Sequence, residues 1–222
     1  MLTFEFLSIL SAGFLLGLKH SLEPDHLAAI STIVSRGGPW RRAVMAGLTW
    51  GTGHTLTLFL VTLVTLGLKV TVPAAFSRLM EMAVGVMLAA LGVMIIKRFF
   101  AHGLHRHDSN RPGGMPHSNH DTQRLTHHRT PFLVGLLHGL AGSAGLLVLL
   151  VAGMRSLTQG LLFSLTFGVG SMLGMALAGL ALSLPLTLAS ERGWLKPILT
   201  LGPAVISIAL GLYMVHVNWR VT

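Results

Sequence analysis

Long apolar runs separated by short polar stretches dominate this chain. A helix needs roughly 20 apolar residues to cross the hydrocarbon core of a bilayer. Six runs approach or exceed that length: Thr3 to Ser35, Ala43 to Leu68, Leu79 to Ile96, Pro131 to Gly153, Leu157 to Ala189 and Pro197 to Trp219. The pattern therefore predicts an all-α integral membrane protein with six transmembrane helices.

The two halves of the chain resemble each other. Phe14 to Leu22 aligns with Phe132 to Leu140, with identity at six of nine positions. Shorter matches in the next two spans keep nearly the same spacing, and the three offsets are 118, 117 and 119 residues. With three spans per half, the second half enters the membrane from the opposite face. We therefore predict a 3+3 inverted repeat of residues 1–100 and 131–222, an arrangement characteristic of secondary transporters.

The segment between the halves, residues 101–130, has a different composition. It contains seven histidines and few large apolar residues: His102, His105, His107, His117, His120, His127 and His128. Such a segment cannot bury a core, so we expect it to be disordered without a ligand. It is either a solvated linker or a weak metal-capturing loop.

The charged residues bear on two questions, which are nucleic-acid binding and the orientation of the chain in the membrane. The chain is 52% apolar and only 10% charged, with a net charge of +9. A basic balance can mark nucleic-acid binding, but here the basic residues flank apolar spans, so nucleic acid is excluded as a partner. Eleven Lys and Arg lie on the predicted side of the His-rich loop and four on the other. The positive-inside rule then predicts a cell-membrane protein with a cytoplasmic loop and both termini outside.

A cluster of His20, Glu23, Asp25 and His26 interrupts the first apolar run. A charged side chain at the bilayer centre costs about 3 kcal/mol, so such residues are functional by default. The chain has no cysteine, which excludes thiolate ligands and thiol redox chemistry. Imidazole and carboxylate remain, and both bind divalent transition metals. The alternative is an interfacial turn whose polar groups face water.

Pro24 gives the cluster a geometry that a straight helix would not allow. At about 100° per residue, His20 and His26 would point roughly 120° apart on one helix. Proline removes one backbone N–H and clashes with the preceding turn, so the first helix is predicted to break at Pro24. The break would let the side chains converge on one ion.

Two more histidines lie inside apolar spans. His54, in Gly51-Thr52-Gly53-His54-Thr55, is a predicted ligand or a neighbour of the ligands, although a lone buried histidine is often only hydrogen-bonded to another helix. His138 is the repeat counterpart of His20, and the residues after it lack carboxylates. It either completes the site or packs.

These residues resemble a known family. His20-x4-Asp25-His26 is similar to the HX4DH signature of nickel/cobalt transporters, and Gly53-His54-Thr55 to the Gly-His-Ser/Thr motif of their next helix. The tract from Gly135 to Ser143 resembles the six-span urease-accessory or nickel-permease-like members. The resemblance implies movement of Ni(II) or Co(II) across the membrane, with the ion as substrate and no resident cofactor. It implies essential roles for His20, Asp25 and His26 and a contribution from His54. The acidic motifs of later helices in eight-span members have no counterpart here.

We therefore expect a transporter of nickel or cobalt and not an enzyme, with uptake favoured over efflux. The candidate metal residues are His20, Glu23, Asp25, His26, His54 and His138. One alternative is a membrane acyltransferase, in which Asp25 would orient His20 as a general base. Another is a metal-sensing or metallochaperone-docking subunit that works through the His-rich loop.

Overall fold

The computed structural model describes residues 2–35, 39–104, 120–141, 156–188 and 195–220. Within these ranges all regular secondary structure is α-helical. The seven helices are α1 (Leu2–His20), α2 (Pro24–Val34), α3 (Trp40–Leu68), α4 (Ala74–Leu104), α5 (His120–Gly139), α6 (Leu157–Leu188) and α7 (Leu195–Trp219). The prediction of an all-α protein is confirmed.

Four helices in the described part of the chain are long and apolar enough to cross a membrane. They are Trp40–Leu68 in α3, Ala74–Ala101 in α4, Leu157–Pro185 in α6 and Pro197–Trp219 in α7. Their outward faces carry exposed leucine and valine side chains, including Val86, Leu177 and Leu212. An apolar exterior of this kind is solvated by lipid. The chain is a multi-pass helical membrane protein.

Two helices have bounds that differ from the predicted spans. α4 runs from Ala74 to Leu104, beyond both ends of the predicted span. α5 ends at Gly139, and the next two residues form a turn within the predicted span of Pro131 to Gly153. Residues 142–155 lie outside the described ranges. Once a helix has formed, each added residue gains a backbone hydrogen bond, so a fall in hydropathy does not mark a helix end.

The expectation of disorder over residues 101–130 is wrong at both ends. Residues 101–104 continue α4, and residues 120–130 form the first part of α5. The same propagation of helices beyond their apolar segments explains the difference. The expectation for residues 105–119 falls on residues that lie outside the described ranges.

The helices pack in a pattern that relates the two halves. α3 packs against α6, with which it aligns in the predicted repeat, and α4 packs against α7, with which it aligns in the same way. α1 packs against α6, just as α5 packs against α3. The short helix α2 lies against α7, α6, α4 and α3. Each major contact therefore either joins two equivalent helices or has an equivalent contact in the other half.

Glycines make these contacts close at equivalent positions. A methyl group at Gly135 of α5 would meet the backbone of Trp50 in α3. A methyl group at Gly17 of α1 would meet the backbone of Phe167 in α6. Gly17 aligns with Gly135, and Trp50 aligns with Phe167, in the repeat read from the sequence. The same residue pairs thus set the approach of the helices in both halves.

A buried apolar core lies between the packed helices. It contains residues from each of the helices α2, α3, α4, α5 and α6, among them Ile30, Trp50, Leu88 and Met175, which are at most 1% exposed. This packing holds α2 in place next to α3, where the polar side chains of the cluster lie.

Candidate metal centre

The turn between α1 and α2 places the first two histidines. α1 ends at His20, and α2 begins at Pro24, whose missing N–H costs nothing at the first position of a helix. The backbone N–H of Glu23 donates to the carbonyl of His20 over 3.0 Å and closes the turn. His20 in the last turn of α1 and His26 in the first turn of α2 consequently face each other. Their ring centroids are 4.4 Å apart.

Four buried histidines from four helices meet at this turn. His26, His54 and His138 are fully buried and His20 is 5% exposed. The ring of His54, from α3, lies 5.4 Å from that of His20 and 5.3 Å from that of His26. The ring of His138, from the last turn of α5, lies 4.1 Å from that of His26. The structure therefore brings together all four histidines that the sequence analysis proposed as metal ligands.

Three of these rings form a group suited to a metal ion, which we call the three-histidine group: His20, His26 and His54. One nitrogen from each ring lies within 4.8 Å of the others. Within the described part of the chain, Nε2 of His20, Nε2 of His26 and both nitrogens of His54 are buried without a hydrogen-bond partner. Burying a polar nitrogen without a partner is unfavourable, and a metal ion would supply the missing partner.

Two of these rings, those of His20 and His26, have a carboxylate beside their Nδ1 atom. Oε1 of Glu23 lies 3.1 Å from Nδ1 of His20, and Oδ1 of Asp25 lies 3.0 Å from Nδ1 of His26. Because a carboxylate accepts, each Nδ1 donates its hydrogen and each Nε2 keeps a lone pair. A carboxylate behind a metal-binding histidine typically fixes its tautomer and orientation in this way. The geometry thus favours Glu23 and Asp25 as residues that orient ligands.

Asp25 also contacts the second half of the chain. Its Oδ2 lies 2.8 Å from Nε2 of His138. Asp25, His26 and His138 form a second set of potential ligand atoms within 4.8 Å of one another, which we call the bridging group. The acyltransferase alternative required Asp25 to orient His20, whereas Glu23 is the carboxylate on that ring and Asp25 is engaged with His26 and His138.

Three buried residues of α3 and α6 were absent from the sequence-based candidates. Trp50 is fully buried and its ring stacks on that of His26, with centroids 5.6 Å apart and planes 10° apart. Phe167 lies 5.3 Å from the ring of His20. Ser171 is fully buried, and in the described part of the chain its hydroxyl has no hydrogen-bond partner. The internal similarity of the sequence could have pointed to these residues, because Phe167 aligns with Trp50 and Ser171 aligns with His54.

The chain is similar to two curated proteins. It is 34% identical over 192 residues to the urease accessory protein UreH of Bacillus sp. strain TB-90, covering 85% of this chain and 82% of that protein. It is 26% identical over 176 residues to a candidate nickel/cobalt efflux system of Methanocaldococcus jannaschii, covering 77% of this chain and 73% of that protein. No solved structure matches the chain significantly.

A family match covers most of the molecule. The family described as the cytochrome c biogenesis protein transmembrane region matches residues 27–213, which include α3 to α6 and most of α2 and α7. The match agrees with a helical membrane protein. The chain belongs to this family of membrane proteins, and its named relatives are a urease accessory protein and a candidate nickel/cobalt efflux system.

Proposed function

We propose that this protein carries divalent nickel or cobalt across the membrane and holds the ion at the three-histidine group. One observation carries the proposal: three buried imidazoles from three helices present nitrogens within 4.8 Å of one another, and among the described residues these rings have nitrogens without hydrogen-bond partners. Several neutral imidazoles converging inside a membrane protein are chemically suited to a late first-row metal ion.

The type of ion follows from the ligands and the relatives. Imidazole suits nickel, copper, iron and zinc, whereas magnesium and calcium prefer oxygen. The chain has no cysteine, so its own residues offer neither a soft thiolate site nor a thiol relay. Nickel and cobalt appear in the name of one relative, and the other is named for urease assistance. These names favour nickel or cobalt over the other metals that imidazole binds.

The proposed architecture is six spans in a 3+3 inverted repeat, with the first span broken at Pro24. The equivalent glycine contacts of α1 with α6 and of α5 with α3 support it. The turn after His20 also has a counterpart. Glu23 N–H donates to His20 over 3.0 Å, and Ala141 N–H donates to His138 over 3.1 Å, at positions 118 residues apart. The shared turn supports a common origin for the two helix ends.

Alternating access of the two repeats around the histidine cluster is the proposed mechanism. In repeat-built transporters the substrate site lies near the repeat interface, on discontinuous helices. The cluster lies where α1, α2, α3 and α5 meet, and three of these helices belong to the first repeat. Movement of α5 and α6 relative to α1 and α3 would open the cluster to one side or the other.

Sidedness and direction are part of the proposal. The eleven basic residues on the side of the His-rich segment support a cytoplasmic location for it, with both termini outside.

We propose uptake as the direction, because the relative named for efflux is less similar than the one named for urease assistance, at 26% against 34% identity. The HX4DH-like tract His20-x4-Asp25-His26 supports membership of the six-span nickel-permease-like subgroup.

The His-rich segment is proposed as an auxiliary docking region for a cytoplasmic metallochaperone. Seven histidines between residues 101 and 130 support weak metal exchange. Deleting residues 105–119 tests this role, since it leaves α4 and α5 within their observed bounds. Nickel flux into liposomes should persist after the deletion. Loss of flux would show that the segment itself is required for transport.

Flux measurements test the proposed function. Purified protein in proteoliposomes should take up radioactive nickel or cobalt above the level of empty liposomes. His20→Gln should abolish most of this flux, whereas His216→Gln, at an exposed position on α7, should not. Equal flux in wild type and His20→Gln would rule out the three-histidine group as the transport site.

A further inference from the structure

The bridging group differs from the three-histidine group in its place in the fold. His20, His26 and His54 lie on α1, α2 and α3, all within the first half of the chain. The bridging group adds His138 from α5, so that its ligand atoms come from both halves. Side chains separated by 113 residues in the sequence are held 2.8 Å apart there.

His26 belongs to both groups, and its two ring nitrogens have different surroundings. Its Nε2 is buried and has no hydrogen-bond partner in the described residues, and its Nδ1 lies 3.0 Å from Oδ1 of Asp25. The two nitrogens of an imidazole point away from each other across the ring. One ring can therefore serve the first site through Nε2 and the second site through Nδ1.

We infer that Asp25, His26 and His138 form a second binding site for the divalent ion, which the ion occupies after it leaves the three-histidine group. This inference rests on the proposed function. In the transfer the ion gives up nitrogens of His20 and His54 and gains a carboxylate oxygen of Asp25 and a nitrogen of His138. The ion replaces the hydrogen bonds that the two rings donate to Asp25, and each ring then carries its hydrogen on its other nitrogen. The site neither gains nor loses a proton, and no electron is transferred.

The chemistry of the second site fits the same ions. It offers two imidazoles and one carboxylate, a nitrogen and oxygen donor set suited to divalent nickel and cobalt. His26 and His138 are fully buried, and the Asp25 side chain is 22% exposed, which leaves room for water to complete the coordination. A carboxylate also neutralises part of the positive charge of the ion. Three neutral imidazoles cannot do this.

The location of the second site gives it a role that the first site cannot fill. An ion bound only to residues of one repeat is held equally well wherever the other repeat lies. An ion bound by Asp25 and His138 is held only while the two repeats approach each other as they do here. Since a ligand shifts a conformational equilibrium only through its different affinity for the two states, the bridging group would couple the ion to movement of the repeats.

Separating affinity from flux tests the inference. His138→Gln keeps an amide that can donate to Asp25 but removes the imidazole ligand. We expect the dissociation constant for nickel to stay within about twofold of wild type, while nickel flux in proteoliposomes falls roughly tenfold or more. Unchanged flux would overturn the inference. A loss of affinity as large as that of His54→Gln would also overturn it, by placing His138 in the first site.

A second measurement does not depend on flux. In His20→Gln/His54→Gln, which keeps a single imidazole of the first site, X-ray absorption at excess nickel should report an ion with two imidazoles and added oxygen ligands. Adding His138→Gln to this variant should remove the bound ion. Retention of the same spectrum in the triple variant would contradict the second site. Absence of nickel flux in the wild type would instead defeat the proposed function, so the two failures are distinguishable.

Discussion

Asp25 and His138 form a contact of 2.8 Å between side chains that lie 113 residues apart in the sequence. The contact joins α2 of the first half to α5 of the second. The other oxygen of Asp25 lies 3.0 Å from His26, so one carboxylate positions an imidazole from each half. After His138 the second half carries Ala141 and Ser143 where the first half carries Glu23 and Asp25. The first half therefore supplies the carboxylate for both.

Replacement of Asp25 by asparagine should weaken metal binding. The amide occupies the same space but has no charge, and it cannot accept through both of its terminal atoms. His26 and His138 then lose their fixed orientation. Loss of such an outer partner typically costs roughly 10–100-fold in metal affinity. Equilibrium dialysis of detergent-purified protein against nickel measures the change.

Glu23→Gln is the matched control for that substitution. The side chain of Glu23 is 51% exposed, against 22% for Asp25, and it orients only His20. Its contact with His20 is weakened by water, so we expect a smaller loss of nickel affinity than in Asp25→Asn. A larger loss in Glu23→Gln would show that the carboxylate at the turn matters more than the one between the halves.

Removal of His54 should impair binding more than removal of an exposed histidine. His54 is fully buried, and both of its nitrogens are without partners among the described residues. We expect His54→Gln to weaken nickel binding by about tenfold or more, and His216→Gln to leave it unchanged. Isothermal titration with nickel compares the two variants. Equal affinities would mean that His54 is a packed histidine and not a ligand.

The helix contacts predict which glycines tolerate a methyl group. Gly135→Ala and Gly17→Ala would press against the backbones of Trp50 and Phe167. Overpacking of this kind typically costs about 1–3 kcal/mol. Both variants should melt at a lower temperature in detergent than the wild type. Gly67→Ala is the control, because no heavy atom of the described residues lies within 4 Å of its added carbon, and it should melt no lower than the wild type.

Acid should release the ion. A protonated imidazole has no lone pair for a metal, so protons compete with nickel at each histidine ligand. The affinity for nickel should therefore fall as the pH is lowered, and binding at acid pH, where the histidines are protonated, should release protons into the buffer. Titration calorimetry in two buffers of different ionisation enthalpy measures this release. Binding with the same affinity at all pH values would argue against histidine ligands.

The sequence predicted which segments form helices, but it did not predict where several of these helices begin and end. Apolar runs located α3, α6 and α7 closely, because lipid requires long apolar helices. They missed the extension of α4 to Leu104 and the helix from His120, where backbone hydrogen bonding continues into polar sequence. Periodicity also carries no information about which helices pack together. That arrangement depends on glycine contacts such as Gly135 with Trp50.

The candidate site was readable in its residue types and less so in their contacts. The cost of burying polar groups in lipid identified His20, Asp25, His26 and His54. Whether Asp25 binds the ion or orients a histidine depends on distances of about 3 Å, which spacing along the chain cannot determine. Trp50 was missed because a lone aromatic residue in an apolar helix is indistinguishable from packing.

X-ray absorption at the nickel edge tests whether the three-histidine group holds the ion, because it counts the imidazoles around the metal. The purified protein is loaded with less than one equivalent of nickel, so that the tightest site fills first. We expect about three imidazole ligands, from His20, His26 and His54, and one fewer in His54→Gln. A nickel ion surrounded by oxygen alone, or a spectrum unchanged in His54→Gln, would contradict the three-histidine group as the binding site.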